Sequence, residues 1–205
     1  MPAAVKVRVP ATVANLGPGF DALGVAVKMH LEIEIEPRRD SIEIMVEGEG
    51  AEQLPQDDTN LVIRSMNTFF DHVGRRPPGY AVRVKNPIPL GSGLGSSAAA
   101  VVGGLTAARA ITGRTVPQVE MIQLATSVES HPDNVLPALL GGLVVCYEAE
   151  AESVYRYLRL EPSDRLVPIL AVPAEGFSTA EARKALPSDV AFEDAQFTAS
   201  RAALL

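Results

Sequence analysis

Apolar and polar side chains alternate along the first part of the chain, which is the period-two pattern of half-buried β-strands. The alternation begins at residues 5–9, where three valines are separated by Lys6 and Arg8. It recurs in three further stretches, at residues 29–35, 42–46 and 80–84. We therefore expect four strands in this part of the chain.

Helical spacing of apolar side chains interrupts this series of strands. From residue 62 to residue 73 the apolar side chains recur at helical spacing, with cap candidates at residues 57–59 and Gly74 as the expected stop. Further along, Thr115 and Gln118 have the spacing of a capping box, which predicts a helix to about residue 130.

Strand and helix patterns continue into the C-terminal part. The expected strands there are residues 139–147, 154–160 and 166–172. Ser178 and Glu181 form another potential capping box, and a final helix is expected from near Glu193 to Leu205. Because strands and helices mix without strict alternation, we predict the α+β fold class.

The 23 residues from Asn86 to Ala108 carry no charge, a length that matches a membrane span. Two prolines and five glycines interrupt the stretch, so we do not expect a lipid-facing helix. Three of the glycines fall within residues 91–95, between a predicted strand and an alanine-rich helix. Such a loop, running into a helix N-terminus, suits a phosphate group, although a tight connection without a ligand is the alternative.

Two common phosphate-binding loops do not fit this segment. A Walker loop needs a lysine after its last glycine, but Gly95 is followed by Ser96 and Ser97. A Rossmann loop needs a third glycine where Ser96 stands. The serine hydroxyls can bind phosphate oxygens or Mg²⁺. Lys85 is the nearest upstream cation that could reach a phosphate, and a solvated strand end is its alternative role.

Composition narrows the possible partners. The chain has 25 acidic and 18 basic side chains, a net charge of −7, which disfavours nucleic acid and anionic membranes as partners. A single cysteine, Cys146, excludes an internal disulfide framework and a four-cysteine zinc site. The N-terminus lacks the pattern of a secretory signal, and we expect a cytoplasmic protein with a small-molecule substrate.

Residues 89–99 read Pro-Leu-Gly-Ser-Gly-Leu-Gly-Ser-Ser-Ala-Ala, which resembles the phosphate-binding signature of the GHMP kinase superfamily. Residues 9–24 resemble the first motif of homoserine kinases, and residues 131–142 resemble their segment beyond the nucleotide loop. This resemblance implies a ribosomal-S5-like N-terminal, ATP-binding domain at residues 1–153. The start of a ferredoxin-like C-terminal domain would follow at residues 154–205.

The resemblance implies ATP-dependent phosphorylation of the L-homoserine side-chain hydroxyl to O-phospho-L-homoserine, a step toward threonine. Besides Lys85, the implied nucleotide-binding residues are Asn60, near the adenine, and Pro89, Leu90, Gly91, Ser92, Gly93, Leu94, Gly95, Ser96, Ser97, Ala98 and Ala99. The implied Mg²⁺ ligands are Ser97 and Glu129. The implied substrate-binding and catalytic residues are Asn15, Asp21, His131, Asn134, Thr179 and Arg183, with Asn134 and Arg183 assigned to catalysis.

Residue chemistry supports part of this assignment independently. Glu129 falls on the helix face of Ile122 and Ala125, where a carboxylate is costly unless it is paired or bound to a metal; a frayed helix end is the alternative. Asp21 could instead cap a turn. An arginine fork at Arg183 suits an amino-acid carboxylate, although a solvated helix face would also explain it. Histidine 131 could likewise be purely structural.

Other readings of the sequence stay open. We expect roughly the last third of the family pattern to be missing, so a truncated, non-catalytic nucleotide-binding fragment is one alternative. A GHMP kinase for another small alcohol is a second, and an RNA-binding module is disfavoured by the charge. Ser130 stands where related kinases often have glycine. No dedicated side-chain base is expected, because Asn134 stands where an acid might be sought. For the assembly, we keep a homodimer as an open alternative to a single chain.

Overall fold

The computed structural model describes residues 4–149, 154–172 and 179–204, with only the backbone of residues 154 and 179–181. Its strands are β1 (Val5–Ala14), β2 (Leu23–Arg38), β3 (Ile42–Gly48), β4 (Gly79–Asn86), β5 (Leu143–Ala149) and β6 (Val154–Leu160). Its helices are α1 (Leu61–Val73), α2 (Ser96–Thr112), α3 (Gln118–Val128), α4 (Pro132–Leu140), α5 (Thr179–Lys184) and α6 (Phe192–Ala202).

A six-stranded sheet organises the chain around the long strand β2. One edge of β2 pairs with β1 in antiparallel register. Its other edge pairs first with β5, at residues 23–25, and then with β4, at residues 32–38. Strand β3 runs parallel to β4, and β6 is antiparallel to β5 at the far side. This mixed sheet with separate helices confirms the α+β prediction.

The two faces of the sheet differ because the side chains of each strand alternate. On one face Val9, Leu31 and Ile33 are buried against the helices. On the other face Lys6 pairs across the strands with Glu32, at 2.7 Å between Nζ and Oε2. Cross-strand ion pairs of this kind keep the outer face polar.

Helix α2 explains the uncharged stretch of the sequence. It packs against β1, β2 and α1, and most of its alanines and both of its valines are buried. The buried ones are Ala98, Ala99, Val101, Val102, Ala107 and Ala108. A Cβ atom at Gly103 would lie 2.6 Å from the Cδ1 of Ile33, and one at Gly104 would lie 2.4 Å from the Val62 carbonyl oxygen. The missing charge therefore reflects close packing inside the protein. Within the described ranges, no helix is long and apolar enough to cross a bilayer.

Several local predictions are confirmed. The four early strand patterns lie within β1 to β4, and the helical pattern at residues 62–73 lies within α1. Gly74 ends α1 in the left-handed region, at a φ of 61°. The strand pattern at residues 154–160 matches β6. The strand expected at residues 139–147 is right only from Leu143, where β5 begins, because residues 139–140 are the end of α4. The domain division near residue 153 stays a prediction.

The strand expected at residues 166–172 is wrong. This segment has no strand or helix, and Val167 and Ile169 are 79% and 93% exposed. Pro168 lies in its middle and cannot donate a backbone hydrogen bond to a ladder. A run of apolar residues does not form a strand when none of the described strands pairs with it.

The cap predictions also need correction. Helix α1 is capped by Asn60, whose Oδ1 accepts from the Val62 N–H at 2.9 Å, and Asp57 caps the preceding turn. Helix α3 begins after Pro117, with no side-chain cap from Thr115. The final helix begins at Phe192 and ends at Ala202. Ser178, the side chain of Glu181 and Leu205 lie outside the described part.

Candidate active site

The glycine loop connects the end of β4 to the start of α2. Gly91, Gly93 and Gly95 have φ values of 64°, 74° and 64°, in the left-handed region that glycine adopts without strain. Gly95 is the residue before the first turn of α2, so the free amides of that turn open beside the loop. Amides and a helix N-terminus together form a site suited to an anion.

Asn86 anchors this loop, and its role was missed at the sequence level. Its buried side-chain amide donates to the Glu49 and Ile88 carbonyl oxygens and to the Ser96 hydroxyl, at 3.1, 3.3 and 3.3 Å. Its Oδ1 accepts from the Ile88 N–H at 3.1 Å. The feature of the sequence that could have indicated this role is an asparagine placed between a predicted strand and Pro87. These bonds fix the start of the loop to the end of the strand.

A cleft of about 600 Å³ lies beside the glycine loop. It brings together thirteen of the predicted site residues from three separate segments of the chain. These residues are Asn60, Pro89, Leu90, Gly91, Ser92, Gly93, Leu94, Gly95, Ser96, Ser97, Glu129, His131 and Asn134. The cleft is large enough for a nucleotide-sized ligand.

Glu129 and His131 form a hydrogen-bonded pair at the wall of the cleft. The Nδ1 of His131 lies 2.5 Å from the Oε1 of Glu129. Glu129 immediately follows α3 and His131 immediately precedes α4, so the short link between these helices positions both side chains. The Glu129 side chain is 13% exposed, which leaves part of its carboxylate accessible from the cleft.

Asn134, in the first turn of α4, is held from behind by Thr12 of β1. The Thr12 hydroxyl donates to the Oδ1 of Asn134 at 2.8 Å, across 122 positions of sequence. Thr12 is fully buried, and its backbone N–H donates to the Leu94 carbonyl oxygen at 3.1 Å. Thr12 therefore links β1, the glycine loop and α4, and the sequence motifs did not single it out.

A second cluster forms in the turn between β1 and β2. Asn15, Leu16 and Asp21 have φ values of 69°, 43° and 56°, which are uncommon for side-chain-bearing residues and concentrate at functional sites. The Oδ1 of Asn15 accepts from the Asp21 N–H at 2.9 Å. Arg183 of α5 reaches this turn, with its Nη2 2.6 Å from the Oδ1 of Asp21.

The charges of this cluster influence each other. The hydrogen bond that Arg183 donates to Asp21 raises the pKa of the Arg183 guanidinium above its ordinary value. The guanidinium also lies 5.2 Å above the ring of Phe20, in a cation–π contact. This arrangement gives the turn one carboxylate and one guanidinium held side by side.

Asp133 is a further acid that the sequence motifs left without a role. It is 2% exposed, and its Oδ1 has no hydrogen-bond partner among the described residues. Burial, and secondarily the charge of Asp21, raises the pKa of its carboxyl. Gly24 allows this close packing, since a Cβ atom there would lie 1.8 Å from the Asp133 carbonyl oxygen.

Three of the predicted nucleotide-binding residues, Lys85, Ala98 and Ala99, do not line the cleft, whereas Asn60 lines it but has its polar groups engaged elsewhere. The Lys85 ammonium is 3.8 Å from Glu34 on the outer face of the sheet, and Ala98 and Ala99 are buried within α2. The side-chain amide of Asn60 donates to the Pro55 carbonyl oxygen at 2.6 Å while its Oδ1 caps α1, so both of its polar groups have structural partners. Thr179 begins α5, and its side chain lies outside the described part.

The donor set around the cleft limits the kind of metal site. Within the described ranges, no three His, Cys, Asp or Glu side chains cluster as a metal site. Ser97 and Glu129, the predicted Mg²⁺ ligands, both line the cleft and both offer oxygen. Oxygen donors with remaining positions for phosphate and water suit Mg²⁺ better than a softer metal.

Comparison with known proteins agrees with the fold. Residues 60–142 match the family described as the GHMP kinases N terminal domain. This range includes the glycine loop and α2 to α4, so this part of the chain is similar to the N-terminal domain of the GHMP kinase class. A homoserine kinase of Streptomyces avermitilis is 44% identical over 99% of this chain and 67% of its own length. The chain belongs to the homoserine kinase family.

Two other comparisons give the same result. A homoserine kinase of Caldanaerobacter subterraneus subsp. tengcongensis is 48% identical, with coverage of 98% of this chain and 64% of that protein. The crystal structure of homoserine kinase from Cytophaga hutchinsonii matches with a TM-score of 0.82 at 28% identity, covering 99% of this chain and 66% of that one. The chain thus spans about two thirds of the length of the relatives that it matches.

Proposed function

We propose that this chain forms the nucleotide-binding part and most of the substrate site of a kinase for L-homoserine. The reaction transfers the γ-phosphoryl group of ATP to the side-chain hydroxyl, giving O-phospho-L-homoserine and ADP. The observation that carries the proposal is the cleft, where the glycine loop and the N-terminus of α2 face Glu129, His131 and Asn134. Homoserine kinases at 44% and 48% identity support the choice of substrate.

The triphosphate would be bound by the loop at residues 89–97. Because the whole chain carries a net charge of −7, the phosphate charge must be neutralised locally. The amides of the loop and the N-terminus of α2 can neutralise the phosphate charge without a basic surface. Asn60 lines the same cleft and would shape the adenine end through the residues that it caps. Ala98 and Ala99 would support the loop from within α2.

Ser97 and Glu129 would hold Mg²⁺. Their hydroxyl and carboxylate oxygens fit this ion, and both residues line the cleft. When bound, Mg²⁺ neutralises charge on the phosphate oxygens. Glu129 also orients His131 through its hydrogen bond, so the carboxylate has a positioning role of its own.

The turn between β1 and β2 would recognise the amino acid. Asp21, supported by Asn15, has the charge needed for an ammonium group, and Arg183 has the charge needed for a carboxylate. His131 and Asn134 lie on the cleft wall toward the phosphate loop, and Thr179 lies one turn before Arg183 in α5. This placement would direct the homoserine hydroxyl toward the triphosphate.

Proton transfer in this proposal needs no dedicated side-chain base. Asn134 cannot take a proton from the hydroxyl, since an amide is not basic at neutral pH. Phosphoryl transfer through a loose transition state depends mainly on positioning and charge stabilisation. The side chains of the cleft would therefore act by orienting the two substrates and by hydrogen bonding to the transferred group.

The proposal extends to the organisation and location of the protein. We infer an N-terminal domain up to about residue 153 and part of a second domain beyond it. A cytoplasmic location follows from a metabolic substrate and from Cys146, a buried free thiol that fits a reducing compartment.

A coupled assay of ADP release tests the proposed function. The chain is incubated with ATP and Mg²⁺ in three parallel reactions that contain L-homoserine, mevalonate or no acceptor. ADP release that depends on L-homoserine supports the proposal. Equal or greater release with mevalonate indicates a kinase for another alcohol. ATP binding without release under any condition indicates a nucleotide-binding fragment, which is the competing function for a chain spanning two thirds of its relatives.

A further inference from the structure

Asn134 lines the cleft, but its side-chain oxygen is already engaged. The Thr12 hydroxyl donates to this Oδ1 at 2.8 Å. A hydroxyl has a single proton to donate, and the oxygen of Asn134 is the acceptor that the structure gives it. The bond therefore fixes which end of the amide points toward β1. The other end, the NH₂ group, is left for the cleft.

Thr12 is held rigidly enough to impose this orientation. It is fully buried in β1, and its backbone N–H donates to the Leu94 carbonyl oxygen of the glycine loop at 3.1 Å. A threonine side chain in a strand has restricted χ1 freedom, so the position of its hydroxyl oxygen is fixed by the backbone. The strand, the loop and the amide thus form one connected unit.

Gly95, in the glycine loop, leaves room for the hydrogen bond between Thr12 and Asn134. A Cβ atom at Gly95 would lie 2.0 Å from the Thr12 Oγ1 and 3.0 Å from the Asn134 Oδ1. The hydrogen bond is therefore located at the residue that precedes α2, where the helix amides open onto the cleft. An amide NH₂ presented at this point is a donor located beside the expected phosphate oxygens.

We propose that Thr12 is a positioning residue, whose buried hydroxyl holds the Asn134 carbonyl oxygen so that the Asn134 NH₂ group faces the phosphoryl group to be transferred. This inference rests on the proposed function and deepens it by assigning the donor that meets the charge developing on the phosphoryl oxygens. Without the Thr12 hydroxyl, the amide can rotate and present its oxygen, which repels those phosphoryl oxygens. A preorganised donor avoids this reorganisation during the reaction.

Thr12→Val and Thr12→Ser provide the matched test. Valine keeps the branched shape and removes the hydroxyl, while serine keeps the hydroxyl. We expect Thr12→Val to lower kcat roughly 10- to 100-fold with little change in the KM for ATP or homoserine, and Thr12→Ser to restore most of the rate. Thermal unfolding of both variants checks that each is folded. A merely structural role would lower stability and raise KM without this split.

A spectroscopic readout separates this inference from the proposed function. In ¹⁵N-labelled chain, the NH₂ signals of Asn134 are identified by their loss in Asn134→Asp. We expect these signals to move in Thr12→Val and to return in Thr12→Ser, before any nucleotide is added. Unchanged signals in Thr12→Val overturn the positioning role, whether or not the wild type turns over. Changed signals, together with a wild type that neither binds nor uses ATP, overturn the proposed function alone.

Discussion

Arg183 and Asp21, 162 positions apart in the sequence, form an ion pair with 2.6 Å between Nη2 and Oδ1. Each side chain is 41% exposed, so the pair itself contributes little to the free energy of unfolding. Its chemistry matches an amino acid: a bound ammonium would contact Asp21, and a bound carboxylate would contact Arg183. A zwitterionic ligand would thus satisfy both groups.

Arg183→Gln tests this relationship. We expect the affinity for L-homoserine to fall roughly 10- to 100-fold, because a charge-assisted hydrogen bond is lost. The free energy of unfolding should change by less than about 0.5 kcal/mol, since the pair is exposed to solvent. Calorimetric titration and urea unfolding measure the two quantities.

Arg201→Gln is the matched control for that substitution. Arg201 also carries its guanidinium over an aromatic ring, 4.6 Å from the centre of Phe197, but it lies in α6. We expect unchanged homoserine affinity in this variant. An equal loss in both variants would mean that overall charge, and not the contact with Asp21, governs binding.

Gly95→Ala should destabilise the chain more than Gly93→Ala. Both glycines are in the left-handed region, which costs an L-residue about 1–2 kcal/mol. A Cβ at Gly93 meets no heavy atom within 4 Å, whereas one at Gly95 overlaps Thr12. Overpacking adds about 1–3 kcal/mol at Gly95. Urea unfolding of both variants gives the difference, and equal losses would show that the Gly95 contact is unimportant.

Asp133 should make the stability of the chain pH-dependent. Burial raises its folded pKa above the unfolded value, so the folded state binds the proton more tightly. The contribution of Asp133 to the free energy of unfolding is therefore fully present below its pKa in the unfolded chain, which is about 4. This contribution is lost as the pH rises through the pKa of the folded state. The substitution Asp133→Asn removes the titrating carboxyl, so this loss of stability with rising pH should disappear.

At pH 7 we expect Asp133→Asn to be more stable than the wild type by about 1 kcal/mol or more, because it carries no buried charge. Near pH 3.5 the two should be nearly equal. Urea unfolding across this range measures the difference, with Asp164→Asn at an exposed position as the control for a lost charge. A wild type that is more stable than Asp133→Asn at neutral pH would show that the carboxylate is stabilised by its surroundings.

The Mg²⁺ assignment predicts a shift in metal requirement. Ser97→Ala and Glu129→Gln should each raise the Mg²⁺ concentration for half-maximal ATP binding roughly tenfold or more. Glutamine keeps an oxygen for the bond to His131, so the loss isolates the charge of Glu129. Fluorescence titration with a labelled nucleotide measures binding. Ser127→Ala, which alters an exposed hydroxyl of α3, should behave as wild type. An unchanged requirement in both cleft variants would exclude these ligands.

Local patterns predicted much of the fold. Period-two alternation marked β1 to β4 because each strand buries one face against the helices, and Gly74 marked the end of α1. The glycine loop could be recognised in the sequence because its glycines and serines lie close together, within residues 91–97. Helix α4 was not predicted, since Pro137 lies within it and tertiary packing against β1 and α2 compensates.

Contacts between distant segments could not be predicted from the sequence. Thr12 and Asn134 are 122 positions apart, and neither residue type indicates a bond to the other. The segment at residues 166–172 shows the opposite error, because its run of apolar residues suggested a strand although none of the described strands pairs with it. The spacing of apolar residues indicates which secondary structure a segment prefers. Which other segment it contacts depends on the topology of the sheet.

The most direct measurement is ³¹P NMR of the chain with ATP, Mg²⁺ and L-homoserine. The proposed function predicts a phosphate-ester signal of O-phospho-L-homoserine that appears as ADP forms and is absent when mevalonate replaces L-homoserine. If ATP is consumed with no phosphate ester on homoserine, or if the ester forms equally well on mevalonate, the assignment of a homoserine kinase reaction to this cleft is contradicted.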